Sequence, residues 1–235
     1  MMGETATTSR TIDDELLWYC SYGSNLSRSR FMTYISGGRA AGSKVVHEGC
    51  RDITPPLDDR PFLLPYALSF PLWSNWWGGG AAAIDVSRPT VGYLIRRQQF
   101  IDIVAQENGI TTAYVEERLD LDRVKREKAV RLLENHAYGT LVWLGECEEG
   151  HPIFTFTLHP EAITDTYKAS PPYLEKLALG LCEAHELSME GAAEYLLRLD
   201  GVRQHYTRES LLSAIIVATS DDGDDDATHG LLVDA

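Results

Sequence analysis

The first forty residues alternate between apolar and polar blocks in a way that predicts a strand, a loop and a helix. An apolar run at 16–20 has the length of a buried strand. Turn-forming residues occupy 21–26, and over 27–36 apolar residues recur at helical spacing. Gly37 and the glycine after it are expected to end that helix.

The segment from 44 to 90 mixes short apolar pieces with turn-forming residues and tryptophans. Several prolines divide the pieces, which predicts short separate strands because proline breaks the hydrogen-bonding ladder of a sheet. Strands are also expected at 81–86 and 90–95, after the three glycines of Gly78–Gly80. Those glycines could let a ligand lie against the backbone, or simply form a bend at a sheet corner.

Residues 97–108 have helical periodicity, and one polar residue falls on the apolar stripe. Phe100, Ile103, Val104 and Glu107 lie at i, i+3, i+4 and i+7, so they share one face. A carboxylate that faces a core loses hydration, which raises its pKa and suits it to proton transfer near neutrality. The alternative is that Glu107 ends the helix and reaches out to solvent.

The second half of the chain places helices after strands. Residues 110–136 are charged and predict one exposed amphipathic helix, and 138–146 with 152–158 predict a hairpin. Because the order is strands first and helices last, it favours an α+β fold over repeated βαβ units. The last helices are expected at 171–185, 188–199 and 206–218, the last of them capped by Thr207.

Composition narrows the class of protein. The chain has 235 residues, 44% of them apolar, which is enough for one ordinary domain with a core. Its 21 basic and 35 acidic residues give a net charge of −14, so nucleic acid is not the expected partner. No stretch approaches the roughly 18 apolar residues of a membrane span. Four scattered cysteines and an acidic N-terminus without a secretory pattern predict free thiols and a cytoplasmic location.

Much of the acidic charge lies at the C-terminal end, where six aspartates fall in the last fifteen residues without a Lys or Arg. Such a run cannot bury itself, and we expect it to be disordered. The expected organisation is a flexible leader at 1–14, a domain at 15–200 with an insertion at 110–136, a helical extension at 201–219 and an acidic tail at 220–235.

The loop after the first strand could carry chemistry. Gly23 would allow close backbone approach to a ligand, and successive N–H groups that enter a helix can bind an anion or oxyanion. The alternative is an ordinary turn in which Ser24 or Asn25 caps the helix. Ser24 lacks the second glycine of a G-x-S-x-G nucleophile motif.

Metal and cofactor patterns are weak. Cys182 with His185, and His47 with Cys50, have spacings of three residues, but neither pair is joined by a second clear ligand pair. The glycines at 37–42 follow a helical stretch and match a dinucleotide-binding fingerprint poorly. We therefore expect neither a metal nor a cofactor.

Five segments in order resemble the γ-glutamylcyclotransferase family. They are Tyr22–Leu26 after a short apolar strand, Trp77–Ala81, Thr90–Ile95, Gln106-Glu107, and Ser170–Gly180. The resemblance implies a small mixed, barrel-like sheet with surrounding helices and a pocket at the mouth of the sheet. It also implies a cyclotransferase, of the amide C–N lyase or acyltransferase type, that needs no metal or cofactor.

In that family the α-amine of a γ-glutamyl group attacks its own γ-carbonyl and releases 5-oxoproline with an amine or amino acid. The resemblance implies Glu107 as the general acid and base. The residues implied in substrate binding are Tyr22, Gly23, Ser24, Asn25, Leu26, Gly79 and Tyr173. The sequence departs from the family pattern at Val104 and Asn108 beside Glu107. The expected partner is a small-molecule γ-glutamyl substrate, and the leaving group and the oligomeric state are left open.

Two other functions remain open from the sequence. The chain could bind a glutamyl compound or 5-oxoproline without turnover, or it could be an amide hydrolase with Ser24 as nucleophile. Because a glutamyl substrate carries an α-carboxylate, we expect positive potential in the pocket, from loop N–H groups and from Arg28 or Arg51.

Overall fold

The computed structural model describes residues 15–75, 77–159, 161 and 166–221. Its strands are β1 (Leu16–Ser21), β2 (Gly38–Arg39), β3 (Val46–His47), β4 (Asp58–Ser74), β5 (Gly79–Arg96), β6 (Ala129–Arg131), β7 (Thr140–Glu146) and β8 (Pro152–Thr157). Its α-helices are α1 (Arg28–Ser36), α2 (Arg97–Asn108), α3 (Thr112–Arg118), α4 (Leu121–Glu127), α5 (Pro171–His185), α6 (Met189–Leu196) and α7 (Arg208–Asp221). A 3₁₀ turn at Ser24–Leu26 joins β1 to α1.

Six strands form one mixed sheet in the order β4-β5-β1-β8-β7-β6. Strand β1 lies inside the sheet, antiparallel to β5 and parallel to β8. Its run of apolar residues at 16–20 follows from this position, because a strand buried on both faces does not alternate. The predicted α+β class is confirmed. Between described residues no pairing joins the edge strands β4 and β6, so the sheet is open and does not close into a barrel.

The expectation of short strands separated by prolines was wrong. Strand β4 runs from Asp58 to Ser74, through Pro61 and Pro65, and its register with β5 shifts once, between Ser69 and Leu72. It lies at the edge of the sheet, where alternate N–H groups point away from the neighbouring strand, so a proline there costs no ladder bond. Strand β5 likewise joins the two strands expected at 81–86 and 90–95, because it pairs with β4 on one side and β1 on the other.

The insertion at 110–136 is not one helix. Its two helices, α3 and α4, each begin at a capping side chain: Thr111 accepts from Tyr114 N, and Asp120 accepts from Arg123 N at 2.8 Å. The polypeptide then enters β6, which pairs with β7 and extends the sheet. The sequence pattern assigned these apolar side chains to one face of one helix, but in the structure they are divided between a helix and an edge strand.

The expected hairpin and the three final helices are confirmed. Strands β7 and β8 pair antiparallel, and Thr207 accepts from Ser210 N at 3.2 Å to cap α7. Helix α7 adds Leu211 and Ile215 to the main core cluster. The leader at 1–14 and the acidic tail from 222 onward lie outside the described residues. None of the helices in the described part of the chain has both the length and the apolarity that crossing a bilayer requires.

Candidate active site

A cavity of about 320 Å³ lies where the loop after β1 meets α1, α2 and α5. A volume of this size is typical of a small-molecule site. Its polar and titratable lining includes Tyr19, Ser24, Asn25, Arg30, Tyr34, Glu107, Tyr138 and Tyr173. Its apolar lining includes Leu72, Trp73, Trp77, Ala81, Ala82 and Phe156. The cavity therefore combines one group of ionisable side chains with an aromatic and aliphatic wall.

The loop is fixed from three elements. The Tyr22 hydroxyl donates to the carbonyl of Phe156 in β8 at 2.8 Å, and the Tyr93 hydroxyl of β5 donates to the carbonyl of Asn25 at 2.9 Å. In α5, Gly180 lies so close to Leu26 that an added Cβ would fall 2.3 Å from the Leu26 carbonyl carbon. The loop is thus buried and held in one conformation, as a preformed binding site requires.

Gly23 is needed for close approach to a neighbouring side chain. Its φ of −101° is open to any residue. An added Cβ, however, would lie 2.8 Å from the Tyr173 hydroxyl oxygen. That oxygen accepts from Ala82 N at 3.1 Å and from the backbone N–H of Ser24. Because both lone pairs face donors, the Tyr173 proton is left to donate elsewhere, and the cavity lies beside it.

Glu107 is positioned by the last turn of α2. Gln99 accepts from Arg96 N at 3.0 Å at the start of this helix, and Gly109 ends it in the left-handed region. Phe100 and Ile103 bury the same helical face against the core. Glu107 is half-buried and lines the cavity, so the prediction that it faces inward is confirmed.

The electrostatic environment of Glu107 combines opposing effects. Burial raises the pKa of its carboxyl above 4.5, while the Arg30 charge and hydrogen bonds from Tyr34 and Asn25 lower it. Burial is the largest of these contributions. The Asn25 Nδ2 to Glu107 Oε1 distance is 3.0 Å. A carboxylate with a raised pKa and two neutral donors is suited to exchange protons with a bound ligand.

The sequence analysis missed Arg30 and Tyr34. They lie at i and i+4 in α1, on the face that enters the core, and both are almost fully buried. The expectation that Arg28 or Arg51 supplies the positive charge was wrong. Arg28 pairs with Asp59 at 3.2 Å and Arg51 with Asp102 at 2.7 Å, and neither lines the cavity. The available signal was the position of Arg30, which directly precedes Phe31 and lies one helical turn before Tyr34.

Two of the predicted binding residues are not brought to the cavity wall. Leu26 packs beneath the loop against α5, and Gly79 faces the backbone of the segment before α5. An added Cβ on Gly79 would lie 2.7 Å from Ser170 N. The absence of a side chain at Gly79 lets two segments of the chain lie in close contact. The other predicted residues line the cavity, namely Tyr22, Gly23, Ser24, Asn25, Glu107 and Tyr173.

Asn108, which departs from the family pattern, holds the end of the insertion in place. Its Oδ1 accepts from Tyr138 N at 3.1 Å, and its Nδ2 donates to the Tyr138 carbonyl at 3.3 Å. Tyr138 in turn lines the cavity and donates to the Ala82 carbonyl at 3.2 Å. No residue of the two described helices α3 and α4 is among those that line the cavity.

The described residues give little support to a metal site or to a serine nucleophile. No group of three His, Cys, Asp or Glu side chains there is arranged to hold a metal ion. No histidine is among the described residues that line the cavity. Ser24 therefore lies without an imidazole base at the cavity wall, in contrast to what a serine nucleophile with a histidine partner needs.

No family model matches the sequence. Over 201 residues the chain is 33% identical to a relative from Arabidopsis thaliana named histone deacetylase 5. The match covers 77% of this chain and 30% of the relative, so the chain spans less than a third of that protein's length. The activity in that name is a property of the relative.

Two solved structures align with most of this chain. A gamma-glutamyl cyclotransferase aligns over 88% of this chain and 99% of its own, with a TM-score of 0.43 and 17% identity. An uncharacterised protein from Homo sapiens aligns over 85% of this chain and 99% of its own, with a TM-score of 0.40 and 17% identity. The first bears the name of the family that the sequence motifs resemble. At these TM-scores and identities, its activity is not carried over to this chain.

Proposed function

We propose that this chain is a cofactor-independent γ-glutamylcyclotransferase-like enzyme that converts a γ-glutamyl amide into 5-oxoproline and a free amine or amino acid. The single observation that carries the proposal is the placement of the Glu107 carboxylate 3.0 Å from Asn25 of the loop, in one cavity. A proton-transfer group and a loop rich in backbone donors thus face the same bound molecule.

In the first step the α-amine nitrogen bonds to the γ-carbonyl carbon of the same substrate. The amine must give up a proton, and Glu107 accepts it. A carboxylate whose pKa is raised by burial is a stronger base than one in water, which favours this transfer. Because attack occurs within one molecule, the protein mainly selects the folded substrate conformer.

In the second step the tetrahedral intermediate collapses. The carbonyl re-forms, the bond from the γ-carbon to the leaving nitrogen breaks, and Glu107 returns the proton to that nitrogen. The developing oxyanion needs fixed donors, each of which can contribute about 3 kcal/mol. The Tyr173 hydroxyl and the loop N–H groups of Gly23 and Asn25 are the donors we assign, since all three residues line the cavity.

The same proposal includes a cytoplasmic location. Its support is that all four cysteines are free, two of them buried, as expected of a protein that works in a reducing compartment.

The experiment is a substrate screen. The protein is incubated with γ-glutamyl dipeptides, γ-glutamyl amines and larger γ-glutamyl metabolites, and 5-oxoproline is measured by mass spectrometry. Release of 5-oxoproline from at least one compound supports the proposal. Glu148→Gln, at an exposed turn, is the matched control for Glu107→Gln.

Two results would replace the proposal by one of the alternatives. Calorimetric binding of 5-oxoproline, with no turnover of any compound, would indicate a ligand-binding protein. A covalent adduct with an acyl probe that Ser24→Ala abolishes would indicate an amide hydrolase.

A further inference from the structure

Arg30 is an unusual residue for a core. Its side chain is 1% exposed, and among the described residues no carboxylate lies within ion-pairing distance of it. Its guanidinium lies 4.4 Å from the centre of the Tyr34 ring and 5.6 Å from that of Trp77. Burying a cation without a carboxylate in direct contact is costly, so its presence at the cavity calls for a functional reason.

The hydrogen bonds of Arg30 determine the direction of a relay. The guanidinium donates from Nη1 to Thr33 Oγ1 and from Nη2 to the Tyr34 hydroxyl oxygen, each at 2.8 Å. Arginine has only donors, so the Tyr34 oxygen must accept, and its own proton is free for another acceptor. Glu107 is the carboxylate that lines the same cavity as Tyr34, and the Tyr34 hydroxyl lowers the pKa of that carboxyl.

We propose that Arg30 is a positioning residue that acts through Tyr34: its hydrogen bond to the Tyr34 oxygen turns the hydroxyl proton toward Glu107, the group that takes the substrate's proton. The Arg30 charge and the Tyr34 hydroxyl both favour the ionised Glu107 carboxylate. The inference rests on the proposed function, which needs Glu107 as a base at the start of the reaction. Arg30 itself is not assigned a contact with the reacting atoms, since its guanidinium donates to Thr33 and Tyr34.

Apart from Arg30, the titratable groups around Glu107 carry no positive charge near pH 7. Its titratable and charged neighbours, taken from every element packed against it, are Tyr19 of β1, Tyr22 of the loop, Arg30 and Tyr34 of α1, Tyr138 before β7 and Tyr173 of α5. Burial raises the pKa of each of these tyrosines, so they are neutral near pH 7. His47 packs on Tyr34 with ring centres 4.0 Å apart, and burial lowers its pKa to about 4, so it too is neutral.

Without Arg30, only hydrogen bonds from neutral donors oppose the effect of burial on the Glu107 pKa. We therefore expect that pKa to rise. The variants are Arg30→Met, which removes the charge and keeps much of the volume, and Tyr34→Phe, which removes one oxygen. Arg28→Met is the matched control, because Arg28 lies in the same helix, half-exposed and paired with Asp59. The readout is the pH profile of kcat/KM for 5-oxoproline release, with thermal unfolding to verify the fold.

We expect Arg30→Met to lower kcat/KM for 5-oxoproline release about tenfold or more near pH 6. Part of that loss should be recovered near pH 9, because the acid limb of the pH profile moves upward by about one pH unit or more. Tyr34→Phe shifts the limb in the same direction, and Arg28→Met leaves it unchanged. If Arg30→Met does not fold, Tyr34→Phe carries the test. A uniform loss of kcat at every pH, with the acid limb in place, would overturn the relay and leave a structural role.

A second measurement separates failure of the relay from failure of the proposed function. The carboxyl carbon of Glu107 is titrated by ¹³C NMR in the wild type and in Tyr34→Phe, with Glu107→Gln used to assign the signal. A higher Glu107 pKa in Tyr34→Phe supports the relay even when no γ-glutamyl compound is turned over. An unchanged Glu107 pKa overturns the relay even when 5-oxoproline is released.

Discussion

Asn25 Nδ2 lies 3.0 Å from Glu107 Oε1, although the two residues are 82 positions apart in the chain. The contact joins the loop after the central strand β1 to the last turn of α2. The same Asn25 Nδ2 also lies 3.4 Å from the Tyr19 hydroxyl oxygen. One amide group thus links the loop after β1 with the group that we assign as acid and base.

Asn25→Asp is expected to weaken the reaction at neutral pH. The change replaces a donor to Glu107 with a second carboxylate, and two neighbouring negative charges raise the pKa of one of them. We expect kcat/KM for 5-oxoproline release to fall about tenfold or more near pH 7, with the acid limb moved upward. Asn75→Asp is the control, because it adds the same charge to an exposed position of the cavity wall. Equal losses from both variants would contradict the special role of Asn25.

Gly23→Ala is expected to destabilise the fold through Tyr173. The new methyl group would lie 2.8 Å from the Tyr173 hydroxyl, so the ring must move. Overpacking of this kind costs about 1–3 kcal/mol in the free energy of unfolding, measured by denaturant titration.

The double variant Gly23→Ala with Tyr173→Phe tests that cause. Removal of the hydroxyl makes room for the methyl group, so the two changes together should cost less than the sum of their separate effects. Gly191→Ala, in α6 where an added Cβ meets its nearest neighbour only at 3.6 Å, should leave stability unchanged or raise it. Strict additivity at Gly23 and Tyr173 would show that the clash is not the reason for the glycine.

The folded state should resist ionisation of Glu107, which predicts a pH-dependent effect of Glu107→Gln on stability. Because the folded-state pKa is raised, the unfolded chain releases the proton first as pH rises. Stability is therefore unaffected below the ordinary pKa of 4.5 and is lost as pH rises from there to the folded-state pKa. We expect the Tm gain of Glu107→Gln over the wild type to grow across that interval and then level off. Glu148→Gln should show no such pH dependence, and a gain that shrinks with pH would contradict the sign.

Trp73 should influence which leaving group is accepted. It lines the cavity yet is 51% exposed, which places it at the entrance. We expect Trp73→Ala to raise KM about tenfold for γ-glutamyl compounds with bulky apolar leaving groups, because aromatic contact area is lost. Compounds with small leaving groups should be little affected. Leu63→Ala, on the same strand and 79% exposed, is the control for surface truncation. A similar change in KM for all compounds would contradict a role in selection.

The parts of the fold that were predicted are those with a strong local pattern. The apolar run of β1, the Glu107 stripe of α2 and the caps of the final helices each depend on neighbours within a few residues. The long strand β4 was missed, because the cost of a proline depends on whether its strand lies at a sheet edge, which the local sequence does not specify. The division of 110–136 into two helices and a strand depends likewise on β7, a distant partner.

The residues of the candidate site that belong to a family motif were predicted from the sequence. Those that reach the cavity only through tertiary packing were missed. The residues from Tyr22 to Asn25 came from such a motif, and Glu107 came from its place on an apolar helical stripe as well as from a motif. Arg30 looked like any other basic residue of a helix beside Arg28, and only the packing of α1 shows which of the two enters the core. Gly79 was assigned to the substrate because a glycine at a strand start fits either a ligand or a second chain segment equally well.

The measurement that tests the central claim most directly is the rate of 5-oxoproline release by the wild type and by Glu107→Gln, on the best γ-glutamyl compound of the screen and at equal folded protein concentration. General acid–base catalysis contributes about 10²–10⁴-fold, so we predict that Glu107→Gln retains at most about 1% of the wild-type rate. Glu148→Gln should retain the full rate. A Glu107→Gln variant that folds and releases 5-oxoproline as fast as the wild type would contradict the account.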